Sequence, residues 1–272
     1  MPELPEVETI RRGVTPHVID RRITRVVVRE SRMRWPVPDD LASRVAGQRV
    51  LSTDRRGKYL LLALDGGDRL LIHLGMSGRL FVLAQGHPLV KHDHVDIELD
   101  DGHLLRFHDP RRFGAVLLWR HDEPTHPLLT GMGPEPFSDA FDGDYLHRVS
   151  RGRSAAVKTF VMDGRIVVGA GNIYAAESLF RAGIRPTRPA GDISLPRYRV
   201  LAQKIRDVLD EAITQGGTTL RDFAGADGAA GYFQQDLYVY GREALPCRQC
   251  STPIRRLVIG QRSSFFCPGC QR

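Results

Sequence analysis

Two groups of residues in this chain have types and spacings suited to chemistry. All four cysteines fall in the last 26 residues, as Cys247-x2-Cys250 and Cys267-x2-Cys270 with sixteen residues between the knuckles. That separation matches the four-thiolate zinc template; a disulfide pair and a rubredoxin-like iron site are the competing uses of the same spacing. Four thiolates leave a zinc ion no open position, so the chemistry read here is structural: one zinc holding a fold. The second group stands at the other end. Initiator methionine is commonly removed before a small residue, which would leave Pro2 with a free secondary amine. An α-amino group has a pKa near ~8, against ~10.4 for lysine, so far more of it is neutral and nucleophilic. A secondary amine condenses with an aldehyde carbon to give a cationic iminium directly, and Glu3 and Glu6 stand beside it to handle protons. The same letters also read as a proline-led helix start with acids on its dipole.

The elements that must position these groups are legible from periodicity. Pro5 with Glu6 and Glu8 opens a helix whose Val7, Ile10 and Val14 share a face. Residues 94–100, HVDIELD, alternate apolar and acidic as a half-buried strand, and Asp101-Gly102 turns into a second, HLLRF. Further strand-like runs are Ile23 to Val28, Tyr59 to Leu64, Leu70 to Leu74 and Ala115 to Trp119, so the first half predicts a sandwich or barrel. From about His121 to Asp144 proline, glycine and acids cluster without period, which predicts a linker. Beyond it the text is helical. GNIYAAESLFRAGIRP closes at Gly183, and Leu201, Ile205, Val208, Leu209, Ala212 and Ile213 recur at helical spacing until Gly216-Gly217. Between the knuckles, TPIRRLVIGQRSSFF predicts a β-hairpin bearing Arg255, Arg256 and Arg262, which read equally as a solvated surface or a phosphate clamp. The expected division is 1–131 for the N-terminal β-sandwich domain, 132–150 for a hinge, 151–236 for a helical domain and 237–272 for the zinc hairpin.

Composition bounds the class. With 272 residues, 42% hydrophobic and 26% charged, the chain is neither disordered nor short of core. No apolar run approaches the ~20 residues of a membrane span. The acidic start MPELPEVETI lacks the basic-then-apolar order of a signal peptide, so a cytoplasmic protein is expected. Net charge is +7, and of 39 basic residues only Lys58, Lys91, Lys158 and Lys204 are lysines, leaving 35 arginines. Arginine offers phosphate a planar fork of donors, although GC-rich coding drift also turns lysine into arginine.

MPELPEVETIRRG resembles the N-terminal signature of the formamidopyrimidine-DNA glycosylases, bacterial enzymes that excise 8-oxoguanine. RRGKYLLLAL, HLGMSGRL, KHDHVDIEL, HDPRRFGA, VVGAGNIYAAESLFRAGI, GGTTLRDFAGADGAAGYFQQDLYVYGRE and the terminal knuckles follow in the family's order. The resemblance implies an α+β fold: a β-sandwich with the catalytic helix, then a helix–two-turn–helix domain ending in the zinc hairpin, with DNA in the cleft between. It implies that Pro2 attacks C1′ of the damaged nucleotide and Glu3 donates a proton. Lys58 then serves β-elimination, and Arg262 serves δ-elimination and phosphate contact. Met76, Arg111 and Phe113 match the residues that fill the gap left by the flipped base; their types suit wedging and pairing with the orphaned partner. Asn172 matches a phosphate contact, His92, Arg111 and Arg153 occupy other DNA-contacting positions, and Lys158 and Tyr240 are further candidates. The loop beginning at Gly216 matches a lid over the extruded base. Two positions depart from the family pattern: Ala170 replaces a branched aliphatic and Gly164 a polar amide.

The partner so implied is double-stranded DNA containing oxidised purines, bound by a monomer with steep salt dependence and no membrane association. Three other readings compete. Endonuclease VIII shares the proline chemistry but prefers oxidised pyrimidines. A zinc-hairpin DNA-binding protein would have no need of Pro2 or Glu3. A metal-dependent phosphoesterase would draw ligands from His73, His92, His94, His103 and His108.

Overall fold

The apolar runs of the first half become strands because each finds an antiparallel partner that puts its aliphatic side chains on a shared face. A computed structural model describes residues 2–216 and 237–272. In it β1 (Ile23–Val28), β5 (Arg79–Ala84), β6 (Asp93–Leu99) and β7 (His103–His108) form one four-stranded sheet in the order β1-β6-β7-β5. The second sheet, in the order β2-β3-β4-β8, contains β2 (Val50–Arg56), β3 (Tyr59–Leu64), β4 (Arg69–His73) and β8 (Ala115–Trp119). Val95, Ile97, Leu105 and Phe107 of the first sheet share one buried cluster with Leu60, Leu62, Ile72 and Val116 of the second. Val7, Val14 and Val18 of helix α1 (Leu4–Val18) close that core, with Leu41 and Val45 of the short helix α2 (Leu41–Val45). This is the expected sandwich.

One strand departs from its reading. β6 alternates apolar and acidic residues, yet Asp93 and Asp96 are buried. Asp96 faces Arg106 across the β6–β7 pair and receives Nε at 2.8 Å and Nη2 at 2.8 Å, while Arg29 adds Nη2 at 2.7 Å. Burial opposes the charge, but these guanidiniums outweigh it and hold the carboxyl below its usual range. The acidic face of the strand is covered by arginine rather than water.

The contacts divide the chain into two compact units, the first formed by the residues up to Thr130. The second, Gly131–Gln215 with the C-terminal residues from 237, holds α3 (Gly143–Ser150), α4 (Val157–Met162), α5 (Asn172–Arg181), α6 (Leu195–Gly216) and the hairpin β9 (Arg255–Ile259) and β10 (Arg262–Phe266). Part of the stretch expected as a hinge, 132–150, is regular structure. Its last eight residues are helix α3, capped by Asp142, and Phe141 and Leu146 are fully buried. The irregular stretch before it is held by Arg206 of α6, which donates to the carbonyls of Pro136, Ser138 and Phe141. Aperiodic composition marks a segment without helix or strand, but the donors that pin it come from about 65 to 70 residues away.

α5 ends as its sequence predicts. Ile184 N–H returns to Leu179 and Gly183 N–H to Phe180, with Gly183 in the left-handed region. The interior of that helix carries one acid, Glu177, which is buried. Its carboxylate accepts the consecutive backbone N–H groups of Tyr238, Val239 and Tyr240, each at 2.9 Å, and so fastens the chain leading into the zinc hairpin. Exchange of Glu177 for Gln turns one acceptor into a donor facing these amides. It is expected to lower the unfolding free energy by about 2–3 kcal/mol in urea titrations followed by far-UV circular dichroism. Glu211→Gln, which removes the half-exposed partner of Arg181, should cost less than about 1 kcal/mol in the same measurement.

Candidate active site and metal centre

Strand register decides which loops share an end of the sandwich. Tyr59 pairs with His73, and His73 with Ala115, so the Gly57-Lys58 turn, the 74–78 loop and the 109–114 loop leave the second sheet at one edge. In the first sheet His108 pairs with both Arg79 and Asp93, which brings the loop carrying Lys91 and His92 to the ends of the same two loops. Helix α1 is aligned along β2. Thr15 Oγ1 lies 2.6 Å from Thr53 Oγ1, Arg11 donates to Thr53 O at 3.1 Å, and Glu8 accepts Arg55 Nε at 3.2 Å. As β2 runs toward its turn the helix runs back toward its N-terminus, so Pro2 and Glu3 point to the end that bears Lys58. Arg55 also donates to Gly57 O at 2.9 Å and thereby ties the lysine turn to the helix. Burial opposes the Glu8 charge, but hydrogen bonds from Arg11 and Arg12 and the nearby Arg55 hold its carboxyl at about 2.

Glu3 is the N-cap of α1, and it is buried. Glu3 and Glu6 form a capping box: Glu6 Oε2 accepts the Glu3 N–H at 2.7 Å, and the Glu3 carboxylate receives the Glu6 N–H. The two acids that read together from sequence therefore divide their work, Glu6 fixing the backbone from which Glu3 and its neighbour Pro2 project. Pro2 is half-buried.

His73, from sequence only a metal-ligand candidate, has another place in the structure. Its Nδ1 accepts Gly75 N–H at 3.0 Å, leaving the ring proton on Nε2, and the ring packs 4.7 Å from Tyr59 and 6.4 Å from Trp35. Burial, with Lys58 and Arg34 beside it, pushes the imidazole down to about 4. A neutral donor thus sits next to the Lys58 ammonium. The other histidines are engaged separately: His94 Nε2–H donates to Asp109 O at 2.8 Å and His108 Nδ1 meets Asp93 Oδ1 at 2.9 Å. Among the described residues the one group of three or more potential metal ligands is the cysteine cluster.

The second unit assembles a separate cluster around Lys158, one of the further DNA-contact candidates. Lys158 on α4 is buried, and Nζ donates to Asn172 Oδ1 at 2.6 Å, Ser264 Oγ at 2.6 Å and Ser263 O at 3.1 Å. Its three protons are engaged inside the protein, because its acceptors arrive from α5 and β10. Asn172, the first residue of α5, donates to Ser263 O at 3.1 Å and to Tyr240 OH at 3.4 Å. Arg262, next to Ser263, opens β10 just beyond the hairpin turn and is exposed. Asn172 and Ser263, the residue after Arg262, are thus held by one buried ammonium, with Tyr240 joined through Asn172. Arg153 stands outside this cluster, exposed, with its guanidinium over Phe160 of α4. The lid expected from Gly216 onward lies outside the described residues, apart from Gly216 itself.

The four Sγ atoms of Cys247, Cys250, Cys267 and Cys270 lie within 4.8 Å of one another, with separations of 3.8 Å for Cys247–Cys270 and 3.4 Å for Cys250–Cys267 and Cys250–Cys270. Tetrahedral Zn–S bonds of about 2.3 Å place sulfurs about 3.8 Å apart, so the set fits one structural zinc. Hydrogen bonds tie this knuckle to the turn that follows α5: Arg272 N–H donates to Gly183 O at 3.0 Å and the Gln271 side-chain Nε2 to Ile184 O at 2.8 Å.

The buried imidazole and the thiolate cluster each have a measurable signature. The His73 resonances should titrate with a midpoint near 4 in NMR spectra, against ~6.5 for an ordinary imidazole. Because the folded value is the lower one, the unfolded chain takes up the proton first, and this histidine's contribution to stability is lost as pH falls from about 6.5 toward 4. Chelation should release one zinc per chain and reduce the ordered structure of the C-terminal hairpin. The emission of Trp35 and Trp119, the two tryptophans and both in the first unit, should be unchanged.

Comparison with known proteins finds similar chains over the whole length. The model of the formamidopyrimidine-DNA glycosylase N-terminal domain matches residues 1–116, that of the formamidopyrimidine-DNA glycosylase H2TH domain residues 132–224, and that of the zinc finger found in FPG and IleRS residues 244–272. A formamidopyrimidine-DNA glycosylase of Pseudomonas putida (strain W619) is 58% identical over 272 residues, covering 100% of both chains. The crystal structure of the MutM (Fpg) protein from Thermus thermophilus is similar with a TM-score of 0.85 and 41% identity, over 99% of this chain and 98% of that one. The Lactococcus lactis Fpg (MutM) in complex with a Fapy-dG containing DNA is similar with a TM-score of 0.89 and 30% identity, over 99% of this chain and 100% of that one. The chain belongs to the formamidopyrimidine-DNA glycosylase family.

Proposed function

We propose that this protein is a base-excision repair enzyme that removes oxidised purines, 8-oxoguanine and formamidopyrimidines, from duplex DNA and then cuts the abasic strand by β- and δ-elimination. The observation that carries this reading is the gathering, at one end of the sandwich, of a proline-led helix start, a buried carboxyl at its cap, the Lys58 turn and the loops bearing Met76, Arg111 and Phe113. It is supported by membership of the family and by a relative caught on DNA containing Fapy-dG.

In this reading Pro2, freed of Met1, attacks C1′ through its neutral secondary amine, while Glu3 supplies a proton to the base as the C1′–base bond breaks, and the N–H proton released from Pro2 passes to O4′ as the sugar opens. The nitrogen lone pair then forms the iminium, whose positive charge acidifies the C2′ proton. Loss of that proton expels the 3′ phosphate, and a second elimination expels the 5′ phosphate. Lys58 stabilises the first leaving group and Arg262 the second. Neutral His73, beside Lys58, offers phosphate a hydrogen bond without adding a second positive charge. Met76, Arg111 and Phe113 occupy the gap left by the flipped nucleotide, and Arg111, with its guanidinium 4.7 Å from the Phe113 ring centroid, meets the orphaned base. Asn172, Arg153, Tyr240 and His92 grip the backbone, and Lys158 positions Asn172 from within. The zinc, held by its four cysteines, supplies rigidity to the hairpin that presents Arg262. The enzyme acts as a monomer in the cytoplasm, and no helix among the described residues is long and apolar enough to cross a membrane.

Borohydride trapping on a duplex with one 8-oxoguanine opposite cytosine tests the proposal. Wild type should give a covalent adduct, and Pro2→Gly and Glu3→Gln should each form it at least ~100-fold more slowly, the scale of a lost nucleophile or general acid. On a preformed abasic site Glu3→Gln should still be trapped, because no base remains to be expelled. Trapping confined to oxidised-pyrimidine duplexes would move the protein to the endonuclease VIII branch. Binding without any adduct would leave a non-catalytic DNA-binding protein.

A further inference from the structure

The three residues read as gap fillers stand on two different loops, and one fully buried carboxylate joins them. Asp109 Oδ1 accepts Ser77 Oγ–H at 2.6 Å and Arg111 N–H at 3.2 Å, and Oδ2 accepts Gly114 N–H at 2.8 Å. Ser77 follows Met76 and Gly114 follows Phe113, so these bonds sit immediately behind the exposed side chains of Met76, Arg111 and Phe113. The backbone of Asp109 is fixed as well, by its own N–H to His92 O at 3.1 Å and by His94 Nε2–H to its carbonyl at 2.8 Å.

The two loops also touch through glycine. A Cβ at Gly75 would lie 2.4 Å from the Phe113 carbonyl carbon and 2.5 Å from Gly114 N, and one at Gly114 would lie 2.6 Å from His73 O. Backbones this close have no room to slide, but shape alone does not stop them from parting. The Asp109 carboxylate opposes separation, because parting the loops would leave a desolvated charge short of donors.

From this geometry we infer that Asp109 is a positioning residue that makes the two loops one rigid wedge, so that it governs extrusion of a paired nucleotide and not the chemistry that follows. The inference rests on the gap-filling role proposed for Met76, Arg111 and Phe113. A wedge entering a base stack must resist the force that closes the stack, and two loops that splay would let the lesion re-pair. Asparagine at 109 is isosteric but converts one acceptor into a donor, which must then face either Gly114 N–H or the Ser77 and Arg111 donors.

Single-turnover cleavage on two substrates tests the inference: a duplex with 8-oxoguanine paired to cytosine, and a single-stranded oligonucleotide with one abasic site, which needs no extrusion. Asp109→Asn should slow cleavage of the paired lesion by about 10- to 100-fold, the cost of a misplacement of about 1 Å, and leave the abasic single strand within about twofold of wild type. Ser77→Ala removes one donor without stranding a charge and should show the same selectivity at a few-fold loss. Equal losses on both substrates in both variants would make Asp109 a general structural residue and overturn the inference. Wild-type rates for both variants, with Phe113→Ala slowed on the duplex, would overturn it while leaving the wedge intact. An unaffected Phe113→Ala would remove the wedge reading and this inference together.

Discussion

A carboxylate taken out of water must be surrounded by donors, and this requirement recurs wherever two segments of the chain have to stay together. Asp109 joins the 74–78 and 109–114 loops, Asp96 locks Arg29 and Arg106 over the outer face of β6, and Glu177 fastens the segment leading to the zinc hairpin onto α5. Asp68 does the same at the opposite end of the sandwich, accepting Arg44 and both the backbone and ring nitrogens of His121. In each case the cost of leaving the group unpaired is larger than the net gain from any one hydrogen bond, so the arrangement resists partial opening. The large arginine content acquires an internal use from this. Guanidinium groups satisfy Asp96, Glu8 and Asp68 with two-pronged geometry, a task for which an ammonium is less suited.

The second unit solves the converse problem. Lys158 is a buried cation whose ammonium is met by an amide oxygen, a hydroxyl and a backbone carbonyl. These contacts hold the ammonium at the start of α5, where Asn172 presents its side chain.

How much of this is legible in the sequence depends on how far apart the partners lie. The cysteine knuckles, the strands, the capped start of α1 and the glycine-closed end of α5 are readable because their determinants fall within a few residues or share a simple period. The acidic face of β6 misleads because its cover, Arg29 and Arg106, comes from outside the strand, and alternation alone signals solvent. The contacts within 132–150 are not legible because a segment without period is silent about Arg206, which is more than 50 residues away. The burial of Lys158 is hidden for the same reason, since Ser263 and Ser264 reach it from β10. Glu177 does leave a local trace, an acid inside Ala175-Ala176-Glu177-Ser178-Leu179, where every neighbour is buried.

Gly164 and Ala170, the two positions read as departures from the family pattern, have different surroundings. A Cβ at Gly164 would meet nothing within 4 Å, and the backbone there does not require glycine, so the missing polar side chain removes a surface group and leaves the interior alone. Gly164 O still accepts Gly133 N–H at 2.8 Å, a bond any residue at 164 would make. Ala170, in contrast, is buried immediately before Gly171 and the first turn of α5. Next to it, Lys158 and Ser263 hold both ends of the Asn172 amide.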